Sequence, residues 1–295
     1  MRHSLSKSAG IALLIGVNIM WGLSFIFSKT ALTEGLPSMT LAFLRYAMTA
    51  AIMAPVCLLR EGSLRLREHA PRAFATALLG ITVYYFFEYS GLQRTTASAA
   101  SLILALVPMM TLLYRAVVRR ERLSPLRWGC VLLSLLGVYL VIRTDAAEGS
   151  ASLAGNLCMV AACLCWTGYI LLTPPLMRSC SALRVTAWQA VAATVTLAPF
   201  ALAERSAWVP ISVQAWLCIL VLAAVCSALC YFLYGIAIRS VDSLTTSLAI
   251  NINPIAACVA GALLLSETLT TGQLAGGTLI LACVLLDTLA GEKQA

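Results

Sequence analysis

Apolar stretches of about 20 residues follow one another along almost the whole sequence, with only short polar connections between them. A helix of that length crosses the hydrocarbon core of a bilayer. Charged residues make up 11% of the chain and hydrophobic residues 61%, whereas about a quarter of the residues in soluble domains are charged. The chain is therefore predicted to be an all-α, polytopic membrane protein, and a soluble globular fold is excluded.

Ten transmembrane helices are predicted from the limits of the apolar stretches. They cover residues 9–28, 38–59, 73–91, 96–118, 127–143, 153–173, 183–203, 213–235, 243–263 and 272–290. The spans divide into two units of five, at 9–143 and 153–290. Because five is odd, the second unit is threaded through the membrane in the opposite direction to the first. The expected architecture is two inverted five-helix repeats, an arrangement typical of secondary transporters.

The distribution of basic residues predicts the orientation. If the amino terminus is cytoplasmic, the external segments hold only Lys29, Arg94, Arg143 and Arg205. Lysine and arginine accumulate on the cytoplasmic side of membrane proteins. Both termini are therefore expected to be cytoplasmic, and the net charge of +8 reflects membrane topology rather than nucleic-acid binding.

Two stretches share one pattern, in which an apolar run rich in Ser and Thr leads to a proline and then to a glutamate. Pro108 precedes Glu121 by the same number of residues as Pro254 precedes Glu267. A proline opens the hydrogen-bond ladder of a membrane helix, which is tolerated where protein or a water-filled cavity satisfies the freed carbonyl. Matching breaks at Pro108 and Pro254 are therefore expected to flank a site between the two halves.

The first helix of each unit carries a tryptophan near mid-membrane, Trp21 and Trp166. Tryptophan usually lies at the membrane interface, so an indole at this depth needs a hydrogen-bond partner or a cavity. Packing against a neighbouring helix and a role in a substrate-binding wall are both compatible with the sequence. Asn18 shares a helix face with Trp21, and Tyr169 shares one with Trp166, because each pair is three residues apart.

The ten spans, the Trp21-Gly22 step, and the run from Thr95 to Leu102 that leads to Pro108 and Glu121 together resemble the EamA family of the drug/metabolite transporter superfamily. The resemblance covers nearly the whole chain. It implies a multi-pass carrier of the bacterial cytoplasmic (inner) membrane, usually an exporter of amino acids, other metabolites or drug-like compounds. Asn251 and Asn253 precede Pro254, whereas apolar residues precede Pro108, so the two halves are not expected to contribute equally to the site.

Glu88 lies within the third predicted helix, where an unpaired carboxylate costs about 3 kcal/mol. An ion pair with Arg45 of the second helix is expected, since the two residues lie at compatible depths. A direct role in binding a proton or a substrate amine is the alternative, and a pair that opens on substrate binding would combine both as a gate. Proton antiport and facilitated diffusion both fit the sequence.

Asn251 and Asn253 lie near the midplane in the ninth helix, and their amides can bond freed carbonyls or recognise a substrate. Tyr231 lies in the eighth helix, either as an interface anchor or as part of a cavity. Gly272 and Gly276 form a Gly-x-x-x-Gly step that permits close packing with the fifth helix or a second molecule, so a monomer and a homodimer are both compatible. The predicted substrate cavity is lined by Asn18, Trp21, Glu88, Trp166, Tyr169, Tyr231, Asn251 and Asn253.

Several classes of function lack their sequence signals. The chain has no phosphate-binding loop, no zinc-hydrolase helix and no nucleophile elbow. Its cysteines lie in apolar runs far from both histidines, so neither a metal nor another cofactor is expected. The predicted function is secondary transport of a small molecule in contact with membrane lipids, and no enzymatic activity is expected. A non-transporting membrane scaffold and an intramembrane enzyme acting on lipids are the alternatives.

Overall fold

A computed structural model describes residues 6–147, 152–237, 240–241 and 249–292. Within these ranges the protein is helical and contains no strand. The ten membrane helices are α1 (Lys7–Thr33), α2 (Ser38–Glu61), α3 (Ala70–Ala77, Leu78–Val83 and Tyr84–Leu92), α4 (Ala97–Leu104 and Val107–Val117), α5 (Pro125–Ala147), α6 (Leu153–Ser179), α7 (Ala182–Ala203), α8 (Val213–Leu220, Val221–Leu229 and Cys230–Ala237), α9 (Ile252–Leu264 in its described part) and α10 (Thr271–Glu292). The predicted all-α class is confirmed.

The helices begin where the sequence supplies capping side chains. Five of them start after a Ser or Thr whose hydroxyl accepts the backbone N–H three residues further on, namely Ser6, Thr96, Ser152, Ser181 and Ser212. Such a cap satisfies one of the free N–H groups of the first turn. Eight helices in the described ranges are long and apolar enough to cross a membrane, and they correspond to predicted spans.

The observed helix ends differ from the predicted ones by a few residues. α1 continues to Thr33 and α6 to Ser179, beyond the predicted ends at 28 and 173. α4 is interrupted at Ala105 and Leu106, immediately before the turn that contains Pro108. The predicted start of the ninth span, at residue 243, lies outside the described residues.

The two groups of five helices pack by exchanging partners. α1 packs against α8 and α9, and α6 packs against α3 and α4. The first helix of each group thus contacts the third and fourth helices of the other group. α2 pairs with α7, α4 with α9, and α5 with α10. The main hydrophobic core therefore lies between the two groups rather than inside either one.

The α5–α10 pair owes its close approach to glycine. A methyl group at Gly276 would overlap the backbone of Gly137, and one at Gly272 would overlap the Thr144 side chain. The Gly272/Gly276 step was expected to pack against the fifth helix or a second molecule, and in the structure it packs against the fifth helix, α5. At one end of the same pair, Arg127 Nε donates to Asp287 Oδ1 at 3.0 Å.

Carboxylates from one group bond to the helix starts of the other group. Glu204, which follows α7, accepts hydrogen bonds from the N–H groups of Met39 and Thr40 at the start of α2. Glu61, the last residue of α2, accepts from Ser181 Oγ at 2.5 Å, where α7 begins. A carboxylate at a helix amino terminus satisfies free N–H groups and interacts favourably with the helix dipole. These bonds therefore join α2 and α7 at both of their ends.

Glu267 caps the start of α4 in the way that Glu204 caps the start of α2. Its Oε1 accepts from Ala97 N at 2.7 Å, and its Oε2 accepts from Ser98 N and Ser98 Oγ at 3.0 and 2.7 Å. Gly261 leaves the room for it, because a methyl group there would lie 2.7 Å from Glu267 Oε2. The glutamate of the repeated proline-to-glutamate segment thus fastens the end of α9 to the broken helix α4.

Replacing Glu267 with Gln should destabilise the protein by about 1–2 kcal/mol, because an amide has only one acceptor oxygen and no charge for the three donors. We expect the melting temperature of the purified protein in detergent to fall by about 2–4 °C. Glu34→Gln is the matched control, since Glu34 is exposed and forms no side-chain hydrogen bond within the described residues. Equal melting temperatures for the two variants would contradict the capping role.

Candidate functional site

The third helix of each group contains a π-helical segment, Leu78–Val83 in α3 and Val221–Leu229 in α8. π-Helical turns leave the regular hydrogen-bond pattern and are frequent at functional sites. In α8 the segment offers acceptors to other helices. Trp21 Nε1 donates to Cys226 O at 3.1 Å, and Thr49 Oγ1 donates to Ala223 O at 3.3 Å. The π segment therefore anchors α1 and α2 of the first group to α8 of the second.

Arg45 is the largest polar side chain buried between the two groups, with 2% of its surface exposed. Its Nε donates to Ser227 Oγ at 2.8 Å, and its Nη1 donates to Tyr89 Oη at 2.9 Å. The guanidinium carbon lies 4.9 Å from the centre of the Tyr85 ring and 5.9 Å from that of Tyr46. Cation–π contacts of this kind stabilise a desolvated cation. The charge is thus held by hydroxyls and rings rather than by a carboxylate.

Glu88 is also buried, with 4% of its surface exposed. Its expected ion pair with Arg45 is wrong in this structure, because no nitrogen–oxygen pair of the two side chains lies within 4.0 Å. Arg45 nevertheless interacts with the carboxylate electrostatically, and the Tyr84 hydroxyl lies within hydrogen-bonding reach of it. Oε2 of Glu88 is buried without a hydrogen-bond partner. The centre therefore contains two opposite charges that are neighbours but are not bonded to each other.

The aromatic side chains form two groups around these charges. Trp21 of α1 contacts Tyr231 and Tyr234 of α8, with ring centres 5.4 and 5.3 Å apart. Trp166 of α6 stacks on Tyr169 at 4.8 Å and contacts Tyr84 of α3 at 5.2 Å. Each group therefore joins the first helix of one half to the third helix of the other.

The two aromatic groups meet at Tyr231. Its hydroxyl lies near those of Tyr46, Tyr84 and Tyr169. Tyr85 connects Tyr46, Tyr84 and Tyr89, with ring centres 4.9–5.4 Å apart. We call this assembly of Trp21, Tyr46, Tyr84, Tyr85, Tyr89, Trp166, Tyr169, Tyr231, Tyr234, Arg45 and Glu88 the central cluster.

Of the predicted cavity residues, Trp21, Glu88, Trp166, Tyr169 and Tyr231 lie in the central cluster, and so does Arg45. The three asparagines form no bond to it within the described residues. Asn18 donates to Leu14 O of its own helix at 2.8 Å, and its Oδ1 is buried without a partner. Asn251 and Asn253 are half-buried before and within the first turn of the described part of α9.

The backbone of Asn253, rather than its amide, contributes to packing. A methyl group at Gly22 of α1 would lie 2.5 Å from Asn253 O, so α1 and α9 touch at this point. Pro254, the next residue along the chain, is also buried. This contact places the break near Pro254 directly against the Trp21-Gly22 step.

Several residues near Arg45 and Glu88 were not predicted from the sequence, namely Tyr46, Tyr84, Tyr85 and Tyr89 of the central cluster and Ser227, which bonds to Arg45. Tyr84, Tyr85 and Tyr89 stand beside Glu88 in an aromatic run, which is a signal that could have identified them. Ser227 has no such signal, because its contact with Arg45 depends on the π-helical segment of α8. Among the described residues, no group of three or more His, Cys, Asp or Glu side chains could hold a metal ion.

Comparison with known proteins identifies the family. The model of the EamA-like transporter family matches residues 8–143 and again residues 153–288. The chain belongs to the EamA-like transporter family. It is accordingly a multi-pass membrane transporter and not an enzyme.

Curated relatives of this EamA-like protein are also named as transporters. An uncharacterized transporter of Archaeoglobus fulgidus is 26% identical over 277 residues, which cover 92% of this chain and 94% of the relative. The S-adenosylmethionine/S-adenosylhomocysteine transporter of Chlamydia trachomatis is 29% identical over 283 residues, covering 90% and 85%. The inner membrane protein YtfF of Escherichia coli is 26% identical over 203 residues, covering 64% and 62%.

A solved structure supports the fold of this EamA-like transporter. It superposes with a TM-score of 0.65 over 97% of this chain and 99% of that chain. Since the two sequences are 20% identical, the likeness concerns the fold alone.

Substitution of Gly80 in α3 tests whether the packing of Tyr169 matters for transport. A methyl group at Gly80 would overlap the Tyr169 ring, so Gly80→Ala should displace that ring and the stacked Trp166. Overpacking of this kind costs about 1–3 kcal/mol, and transport in proteoliposomes should fall at least several-fold. Gly16→Ala is the control, because a methyl group at Gly16 meets nothing within 4 Å. Unchanged transport by a folded Gly80→Ala protein would place Tyr169 outside the transport pathway.

Proposed function

We propose that this protein is a secondary transporter of the bacterial inner membrane that exports amino acids or other small metabolites by alternating access. The observation that carries the proposal is the central cluster, where aromatic rings surround Arg45 and Glu88 at the junction of the two helix groups. Substrate sites of secondary transporters lie near the midplane at the interface between repeats.

The exchange of helices between the groups supports an inverted repeat. We propose that residues 9–143 and 153–290 are the two oppositely threaded units, with both termini in the cytoplasm. The first helix of each unit packs on the third and fourth helices of the other, as a two-fold relation between the units requires. Rocking of the units around the central cluster would then expose it to each side of the membrane in turn.

The hydrogen bonds around the proposed binding site are few, so the two helix groups can separate there. The side chains of Trp21, Thr49 and Arg45 each form a single hydrogen bond to α8. Contacts of this size can break and reform at modest cost. Trp21, Glu88, Trp166, Tyr169 and Tyr231 are the proposed substrate contacts, and Arg45 acts with Glu88 in gating. Asn18, Asn251 and Asn253 would line the cavity in a state in which their helices have rotated.

An amino-acid-like substrate agrees with the chemistry of the site. Tyrosine and tryptophan rings accommodate apolar or planar side chains, and the two charges provide polar recognition. The relative named as an S-adenosylmethionine/S-adenosylhomocysteine transporter is consistent with this class, because both compounds contain an α-amino acid group.

Transport in proteoliposomes tests the proposal. A panel of labelled amino acids, S-adenosylmethionine and small organic cations is offered with and without a pH gradient. We expect the amino-acid class to move, and we expect Trp21→Ala and Trp166→Ala to reduce its transport by about tenfold or more, as loss of a buried aromatic contact costs on the order of 1–3 kcal/mol. Stimulation by the pH gradient distinguishes proton antiport from facilitated diffusion.

Trp216→Ala is the matched control, because Trp216 is 44% exposed on the outside of α8. It should leave transport unchanged. Equal loss in all three tryptophan variants would indicate general destabilisation. Absence of transport for the whole panel by a folded protein would contradict the proposal and favour a scaffold role.

A further inference from the structure

Arg45 has more hydrogen-bonding capacity than the protein around it uses. A guanidinium carries five N–H donors and cannot lose its charge at physiological pH. Arg45 donates one bond from Nε and one from Nη1, and Nη2 donates none to a described residue. Tyr85 and Tyr46 cover it with their rings. Unused donors on a buried cation are costly. Nη2 is therefore available to an acceptor from outside the protein.

Glu88 shows the complementary deficit. Its Oε2 is buried without a hydrogen-bond partner, and the carboxylate forms no ion pair within the described residues. The Tyr46 hydroxyl, in the same cluster, is also buried without a partner. Polar groups in a membrane interior are normally satisfied, because water is not there to replace the missing bonds. These unsatisfied groups point to a ligand that supplies both a donor and an acceptor.

We propose that Arg45 and Glu88 are the two ends of a zwitterion-binding site, in which Arg45 receives the carboxylate and Glu88 the ammonium group of a free α-amino acid. This assignment rests on the proposed transport function and narrows it to one substrate class. A zwitterion compensates both charges at once, whereas a simple cation or anion leaves one of them unpaired in a medium of low dielectric constant. The tyrosine and tryptophan rings then receive the apolar or aromatic side chain of the same molecule.

Arg45 and Glu88 are separated by more than 4.0 Å between any side-chain nitrogen and oxygen. Arg45 is fixed from two sides, by Ser227 of α8 and Tyr89 of α3. A direct ion pair would satisfy both groups and leave neither of them free to bond to a substrate. Held apart, the same groups discriminate against compounds that lack either charge, since a missing partner leaves a buried polar group unpaired.

The test uses the free α-amino acids together with their N-acetyl and methyl ester derivatives as probes. Binding to the purified full-length protein is measured from the rise in melting temperature, and transport from competition in proteoliposomes. We expect at least one free amino acid to bind, and both of its derivatives to bind about tenfold to a hundredfold more weakly, as expected when one charge-assisted hydrogen bond is lost.

Variants assign the two ends of the site. Arg45→Gln should bring the affinities of the free acid and the methyl ester together, and Glu88→Gln should do the same for the free amine and the N-acetyl form. Each variant should leave the other ratio unchanged, which a general loss of stability would not do. If Arg45→Gln does not fold, Arg45→Lys, which keeps the charge but loses the planar fork, should still lower the acid-to-ester ratio several-fold. Arg127→Lys, at the ion pair with Asp287, is the control and should change neither ratio.

Three outcomes would overturn the assignment. In the first, the derivatives bind as well as the free amino acid. In the second, only compounds with a single charge bind. In the third, the acid-to-ester and amine-to-N-acetyl affinity ratios are the same in the variants as in the unaltered protein. In each of these cases, transport of any compound by the protein would leave the proposed transport function standing. Failure of all compounds to move would instead contradict the transport function itself.

Discussion

A permanent positive charge in the interior of the membrane is the constraint around which the centre of this protein is built. Arg45 cannot deprotonate, and the hydrocarbon offers it no water. Its charge is held by Ser227 of α8, by Tyr89 of α3, and by the faces of Tyr85 and Tyr46. Because these groups come from both halves of the chain, the contacts that stabilise the buried Arg45 also hold the two halves together at their centre.

Irregular backbone geometry provides further hydrogen-bond acceptors between the two halves. The π-helical segment of α8 frees the carbonyl groups of Cys226 and Ala223, which accept from Trp21 and Thr49. Breaks in regular helices are tolerated within a membrane only where protein or an internal cavity satisfies the freed groups. In α3 and α8, and next to Pro108 in α4, the irregular segments face other helices of the same protein. Irregular backbone and buried charge thus occur together, at the place where binding is proposed.

The sequence predicted the number of spans and the approximate location of their ends, because the length of an apolar stretch is a local signal. It predicted the rotation of the helices poorly. One residue of error turns a side chain by about 100°, and strongly apolar helices show little contrast between faces. Equal depth therefore predicted an ion pair between Arg45 and Glu88 that the structure does not contain. Trp21 and Trp166, which were selected by their depth, lie in the central cluster. Tyr46, Tyr85 and Ser227 were not identified, because their contacts depend on helix rotation.

The two proline-to-glutamate segments share a sequence pattern but differ in their contacts. Both end in the same turn, with Arg120 and Ser266 at positive φ immediately before the glutamate. Glu267 then caps α4 of the other half, whereas Glu121 pairs at 2.6 Å with Arg115 at the end of α4, in its own half. A transporter that alternates access holds its halves in unequal conformations in any one state. Different contacts from matching segments are compatible with the alternating access proposed above, and Glu267 adds a further link between the halves to those that join α2 and α7.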